Sequence, residues 1–144
     1  MSLNPLNELR YRYRLALEHL NRSERLFSLE DWPGTVSSAQ LAIENLAKSI
    51  IAMFEIPTWG HDPSSQLDRL VNRFSEDLRS LIEELALITH EIAPEHGRSS
   101  YGEPSKGVVP SEIYEKRHAQ DALMKAKKAK EIVDKIMNAM KVRI

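Results

Sequence analysis

Arg98 and Tyr101 carry the most suggestive chemistry in this chain, close together in the run Arg98-Ser99-Ser100-Tyr101-Gly102-Glu103. A guanidinium presents a planar fork of donors that matches a phosphate, and a phenol ring stacks on a base while its hydroxyl hydrogen-bonds. Residues of these two types suit a binding loop for a nucleotide or RNA. The plainer alternative is that Arg98 neutralises helix-end carbonyls while Tyr101 pins the loop to the body of the protein. His96, just before them, titrates near neutrality and offers a phosphate contact or a proton.

Other polar residues invite the same test. His90 and His96 flank Pro94 and lie near Glu91 and Glu95, but a zinc-binding helix needs two histidines one turn apart with a glutamate between them. These two are separated by a proline, so no continuous helix face presents both, and no metal site is expected. Gln40, Glu44 and Lys48 recur one turn apart, and Glu44 precedes Lys48 in the favourable order for a helical ion pair. They read as a surface salt bridge bordering an apolar stripe, the alternative being a polar groove beside a helix seam. His61 reads as a loop or capping residue. Lys125, Lys127, Lys128 and Lys130 read as the solvated face of a helix, the lesser alternative being a secondary role in touching RNA phosphates. No residue is assigned as catalytic, and no cofactor is implied.

The elements that position these residues follow from hydrophobic periodicity. Asn4-Pro5 is a cap followed by proline at the first helical position. Leu6, Leu9, Tyr13, Leu17, Leu20 and Phe27 then fall on one helical face. Asp31-Trp32-Pro33-Gly34 is expected to end that helix and turn the chain. Val36, Ala39, Ile43, Leu46, Ala47, Ile50 and Phe54 mark a second helix, closed before Pro57. Asp62-Pro63 repeats the start signal, and Leu67, Leu70, Val71, Phe74, Leu78, Leu81, Leu85 and Ile88 mark a third helix that Pro94 closes. From Ala93 to Pro110 the glycines and prolines leave no apolar period, which predicts a long loop of the kind that often carries function. The last helix is expected from about Ser111, with Ala119, Ala122, Ala126, Ala129, Val133, Ile136 and Met140 inward. Trp32 and Trp59 sit at helix junctions and are expected to close the ends of the core.

Four amphipathic helices joined by short connections predict an all-α up-down four-helix bundle, one domain over 1–144, with room for a short extra helix. The 144 residues suffice for a core without staples. Cysteine is absent, which excludes disulfides, thiolate catalysis and cysteine-ligated metal. With 20 basic against 21 acidic residues the chain is not a general polyanion binder. The start lacks the basic segment and apolar run of a signal peptide, and no stretch is long enough to span a bilayer, so a cytoplasmic, non-membrane location is expected.

The order of motifs resembles the HEPN family (higher eukaryotes and prokaryotes nucleotide-binding). Asp31-Trp32 stands before a helix holding Ala39, Ala42, Glu44 and Lys48; His61 opens the next; Arg98 to Tyr101 precede Pro110-Ser111-Glu112-Ile113-Tyr114 and an alanine-rich last helix. This is similar to archaeal and bacterial HEPN domains, in which an aromatic precedes an AxxAxE…K helix and an arginine–tyrosine loop precedes the final helix. The resemblance implies a helical bundle, frequent homodimers, nucleotide or RNA binding, and pairing with a minimal nucleotidyltransferase in toxin–antitoxin modules. It assigns the binding role to Arg98, Tyr101, His96, Lys48, Glu44 and His61. Some members are metal-independent ribonucleases that place four to six residues between the arginine and a histidine near the start of the last helix. Here no histidine follows Arg98 at that distance, and Arg117-His118 are adjacent. The resemblance therefore implies a binding module first, with a ribonuclease or a purely structural, partner-binding bundle as the alternatives.

Overall fold

A computed structural model describes residues 4–143. Met1–Leu3, part of the start read for a signal segment, and Ile144 lie outside the described residues. Four long helices carry the fold: α1 (Pro5–Ser28), α2 (Trp32–Ile51), α4 (Glu76–Ile92) and α6 (Lys116–Ala139), with two short ones, α3 (Ser64–Arg69) and α5 (Glu95–Tyr101), between them. The all-α helical bundle expected from periodicity is the architecture found. Among the described residues the only β pairing is an isolated bridge, Glu103 to Val108. No described helix is long and apolar enough to cross a membrane.

Local chemistry sets the helix starts. The Asn4 side chain accepts the Leu6 N–H at 3.0 Å, with Pro5 in the first turn, as expected of a cap followed by proline. The second junction differs from the expected turn. α1 ends at Ser28, Glu30 takes a left-handed φ of 61°, and Asp31 is already the cap of α2, accepting from Gly34 N–H at 2.9 Å. Trp32, Pro33 and Gly34 form the first turn of α2 rather than a loop, because proline is tolerated where no intrahelical N–H bond is required.

The third helix is broken. Its stripe of Leu67, Leu70, Phe74, Leu78, Leu85 and Ile88 is buried as expected. The chain nevertheless leaves α3 after Arg69, passes through a 3₁₀ turn at Val71–Arg73, and becomes extended at Phe74 and Ser75. Ser75 then starts α4, whose first turn holds Glu76 and Asp77, acidic residues that suit a helix N-terminus. The segment 93–110 also departs from expectation. It holds α5, a 3₁₀ turn at Pro104–Lys106 and the bridge that closes Glu103 on Val108, so Arg98 and Tyr101 lie on a helix, not in a loop. The last helix begins at Lys116, after a 3₁₀ turn at Pro110–Glu112.

α2 is the hub, touching each of the other five α-helices. Fifteen of its 20 residues are buried, so it has no solvent face on which a polar stripe could run. α6 lies along it, contributing the buried alanines Ala119, Ala122, Ala126 and Ala129 to the core side. Trp32 packs on Phe27 with ring centroids 5.4 Å apart. Trp59, expected to close the core, is instead 95% exposed on the loop after α2, beside Tyr11 and Arg12 of α1.

Candidate functional site

The polar residues of α2 form a network inside the protein. Glu44 and Lys48 have side chains only 6% and 4% exposed, and Lys48 Nζ stands 3.1 Å from Glu44 Oε2. This is not the surface salt bridge expected from the spacing. The neighbours of α2 wrap it on all sides, so residues one turn apart that look like a solvent stripe are enclosed. Removing two charges from water costs several kcal/mol per ion, and such a pair persists only where further hydrogen bonds complete it. Here they do: Gln40 Nε2 donates to Glu44 Oε1 at 3.0 Å, and His61 Nδ1 stands 3.1 Å from the same oxygen.

Proton positions in the network follow from donor and acceptor types. Burial alone pushes the Glu44 carboxyl up, but hydrogen bonds from Gln40, Lys48 and His61, together with the Lys48 charge, outweigh it and hold Glu44 below its ordinary value. It is therefore ionised near neutrality and only accepts. Gln40 must turn its NH₂ toward Glu44, which leaves Gln40 Oε1 facing His96 Nδ1 at 2.9 Å. An amide oxygen only accepts, so His96 Nδ1 carries the proton and its Nε2 lone pair is free. Burial, then the adjacent His61, holds His96 below the ordinary histidine value, against the pull of Glu44. The two imidazoles lie nearly parallel, 17° between planes and 3.4 Å between centroids. At that separation the neighbouring ring adds to burial in disfavouring a charge on His96.

Three elements deliver these groups: α2 provides Gln40, Glu44 and Lys48, the loop before α3 provides His61, and α5 provides His96. The network opens outward at His61, whose side chain is 53% exposed. His90 is not part of it. That residue pairs with Asp62 at 2.8 Å on the surface, so the two histidines weighed together for metal binding are found in separate places.

Arg98 lies apart from His96. Two positions along a helix turn the side chain about 200° around the axis, and Arg98 faces the stretch leading into α6. Its guanidinium stands 3.1 Å from Glu103 and 3.6 Å from Glu95, and 5.9 Å from the Tyr114 ring centroid. The Tyr114 hydroxyl donates to Glu95, and burial followed by that bond raises the phenol well above its usual range. Arg98 lines a cleft of about 340 Å³ with Glu91, Glu95, Tyr114, Arg117, His118 and Lys125, among others. Tyr101 is 74% exposed and is not part of that lining. The six residues expected to share a binding role thus divide. Glu44, Lys48, His61 and His96 form the internal network, Arg98 sits in the cleft, and Tyr101 stands outside both. Sequence reasoning missed Gln40's bridging role and the placement of Tyr114 beside Arg98. The fourfold spacing of Gln40 and Glu44 was a signal for the first; nothing local signalled the second.

The wider likenesses agree with this architecture. The crystal structure of TT1696 from Thermus thermophilus superposes with a TM-score of 0.68 at 21% identity, covering 90% of this chain and 98% of that one, a likeness of fold. No curated protein matches the chain. The sequence profile of the HEPN domain matches residues 9–137, nearly the whole of the bundle from α1 to α6. The chain belongs to the HEPN domain family.

Proposed function

We propose that this chain acts as one HEPN-type binding domain for the phosphate of a nucleotide or RNA, with Arg98 as the principal contact. The observation that carries the reading is the cleft itself, where Arg98, Arg117, Lys125 and His118 converge beside Tyr114. Arg98 remains 41% exposed and can exchange one carboxylate partner for a phosphate in the same bidentate geometry. Glu91, Glu95 and Asp121 share the lining, so the cleft is close to charge-balanced and its binding is weak and salt-sensitive. Membership of the family supports a homodimer, and a minimal nucleotidyltransferase as a protein partner. Catalysis is not part of the proposal: Arg98 has no histidine at ribonuclease spacing, and His96 lies on another side of α5.

Titration calorimetry with ATP and fluorescence anisotropy with a short labelled RNA test the site. Arg98→Ala is expected to lower affinity at least tenfold while melting within a few degrees of the parent. Its ion pairs are partly exposed and contribute no more than about 1 kcal/mol. Equal affinity in the variant and the parent sinks the assignment.

A further inference from the structure

Glu44, His61 and His96 meet where α2, the loop before α3, and α5 converge, and each offers one donor atom within 4.8 Å of the other two. We infer that these three side chains form a binding site for a divalent first-row transition metal of the Zn²⁺ type. The donor set selects the class: two imidazoles with one carboxylate suit zinc, whereas magnesium and calcium favour oxygen alone.

The distances fit. Two ligands on a tetrahedral zinc, each at about 2.0–2.1 Å, stand roughly 3.3 Å apart. His61 Nδ1 and Glu44 Oε1 are already 3.1 Å apart. The metal takes the place of the proton between them with little movement of α2. The His96 ring lies flat against His61, centroids 3.4 Å apart, and one of its nitrogens is within 4.8 Å of the other two donors.

The surroundings do what outer groups do around metal-bound histidines and carboxylates, which is to fix tautomer and direction. Gln40 Oε1 accepts from His96 Nδ1 at 2.9 Å, leaving Nε2 to ligate. Lys48 holds the other Glu44 oxygen at 3.1 Å, so the carboxylate stays ionised with Oε1 turned to the histidines. Three protein ligands leave a fourth position toward the exposed side of His61, for water or a ligand oxygen.

Chelator-stripped protein titrated with Zn²⁺ by calorimetry, and with Co²⁺ by its visible d–d absorption, tests the site. One equivalent is expected to bind. His61→Ala and His96→Ala each remove a direct ligand and are each expected to weaken binding by more than the roughly tenfold to hundredfold that an outer-shell partner contributes, and to abolish the Co²⁺ bands. His90→Ala, which removes the surface His90–Asp62 pair, is expected to bind as the parent does. His61 lies in a half-exposed loop, so its truncation leaves the core intact, and far-UV circular dichroism checks this. If His96→Ala does not fold, His96→Gln takes its place. The inference is overturned if the parent binds neither metal, if His61→Ala binds within about threefold of the parent, or if binding is lost with His90.

Discussion

Lys48→Met isolates the internal ion pair, and its effect is large enough to measure directly. The substitution keeps most of the apolar stem and removes the ammonium, leaving Glu44 enclosed with Gln40 and His61 but without its counter-charge. Removing one partner of a buried pair costs about 3–5 kcal/mol, and the 4% and 6% exposures place this pair in that class. Unfolding entropy near about 2.1 cal/mol/K per residue over 144 residues makes each kcal/mol worth roughly 3 °C, so Tm falls by about 10–15 °C. The pH dependence adds a second reading. Glu44 sits below its ordinary value of 4.5, so in the parent its contribution is present above that pH and is lost as pH falls through the folded value. Without Lys48, burial raises Glu44 instead, and the variant gains relative stability as the carboxyl takes up a proton. The gap between the two proteins therefore begins to narrow above 4.5, as the raised carboxyl of the variant takes up its proton, and narrows further below 4.5 as Glu44 of the parent is protonated; other carboxylates cancel in the difference. Thermal and urea melts from pH 3 to pH 7, with chelator present, measure it. A loss under about 1 kcal/mol, or a gap that widens in acid, refutes the reasoning.

Gly102→Ala drives a Cβ into the Val108 carbonyl oxygen at a residue with φ of +69°, and is expected to cost about 2–3 kcal/mol. Amide exchange in 102–109 should accelerate, and an unchanged melt would contradict the described turn. Tyr114→Phe deletes the hydroxyl that donates to Glu95 and is expected to cost about 1–2 kcal/mol and to weaken phosphate binding several-fold, read by urea melts and anisotropy; a neutral result in both removes Tyr114 from the cleft's machinery. For the proposed homodimer, the exposed apolar groups Tyr11, Ile56 and Trp59 are the expected contact. Trp59→Ser should shift sedimentation toward monomer, and an unaltered sedimentation profile excludes Trp59 from the interface.

The bundle was largely legible because its stripes and caps act locally. Asn4-Pro5, the leucines of α4 and the alanines of α6 needed only helical periodicity. The break at Phe74 was hidden because the apolar stripe runs through it, although Ser75-Glu76-Asp77 carried a start signal. α5 was hidden because Gly97, Ser99 and Ser100 give a two-turn helix no apolar period; tertiary contact with α2 makes it a helix. The burial of Gln40, Glu44 and Lys48 could not be read from spacing, since the same pattern serves a solvent edge. The decisive fact is how many helices surround α2, a property of the whole packing. His61 and His96 meet only because α5 folds back, which no local signal encodes.

The shortness of α5 has a consequence for motion. A seven-residue helix is far below the length that holds together in water by itself. Its order depends on docking through an inner side that includes His96 and the buried Ser99, whose hydroxyl has no hydrogen-bond partner among the described residues. α5 therefore undocks at lower free energy than α2 or α6 unfolds, as a separate opening unit. Each opening detaches His96 from Gln40 and lets water reach a carboxylate the closed fold keeps dry. Whatever strengthens the imidazole–glutamate junction slows that opening, so exchange at the α5 amides serves as a gauge of the state of Glu44.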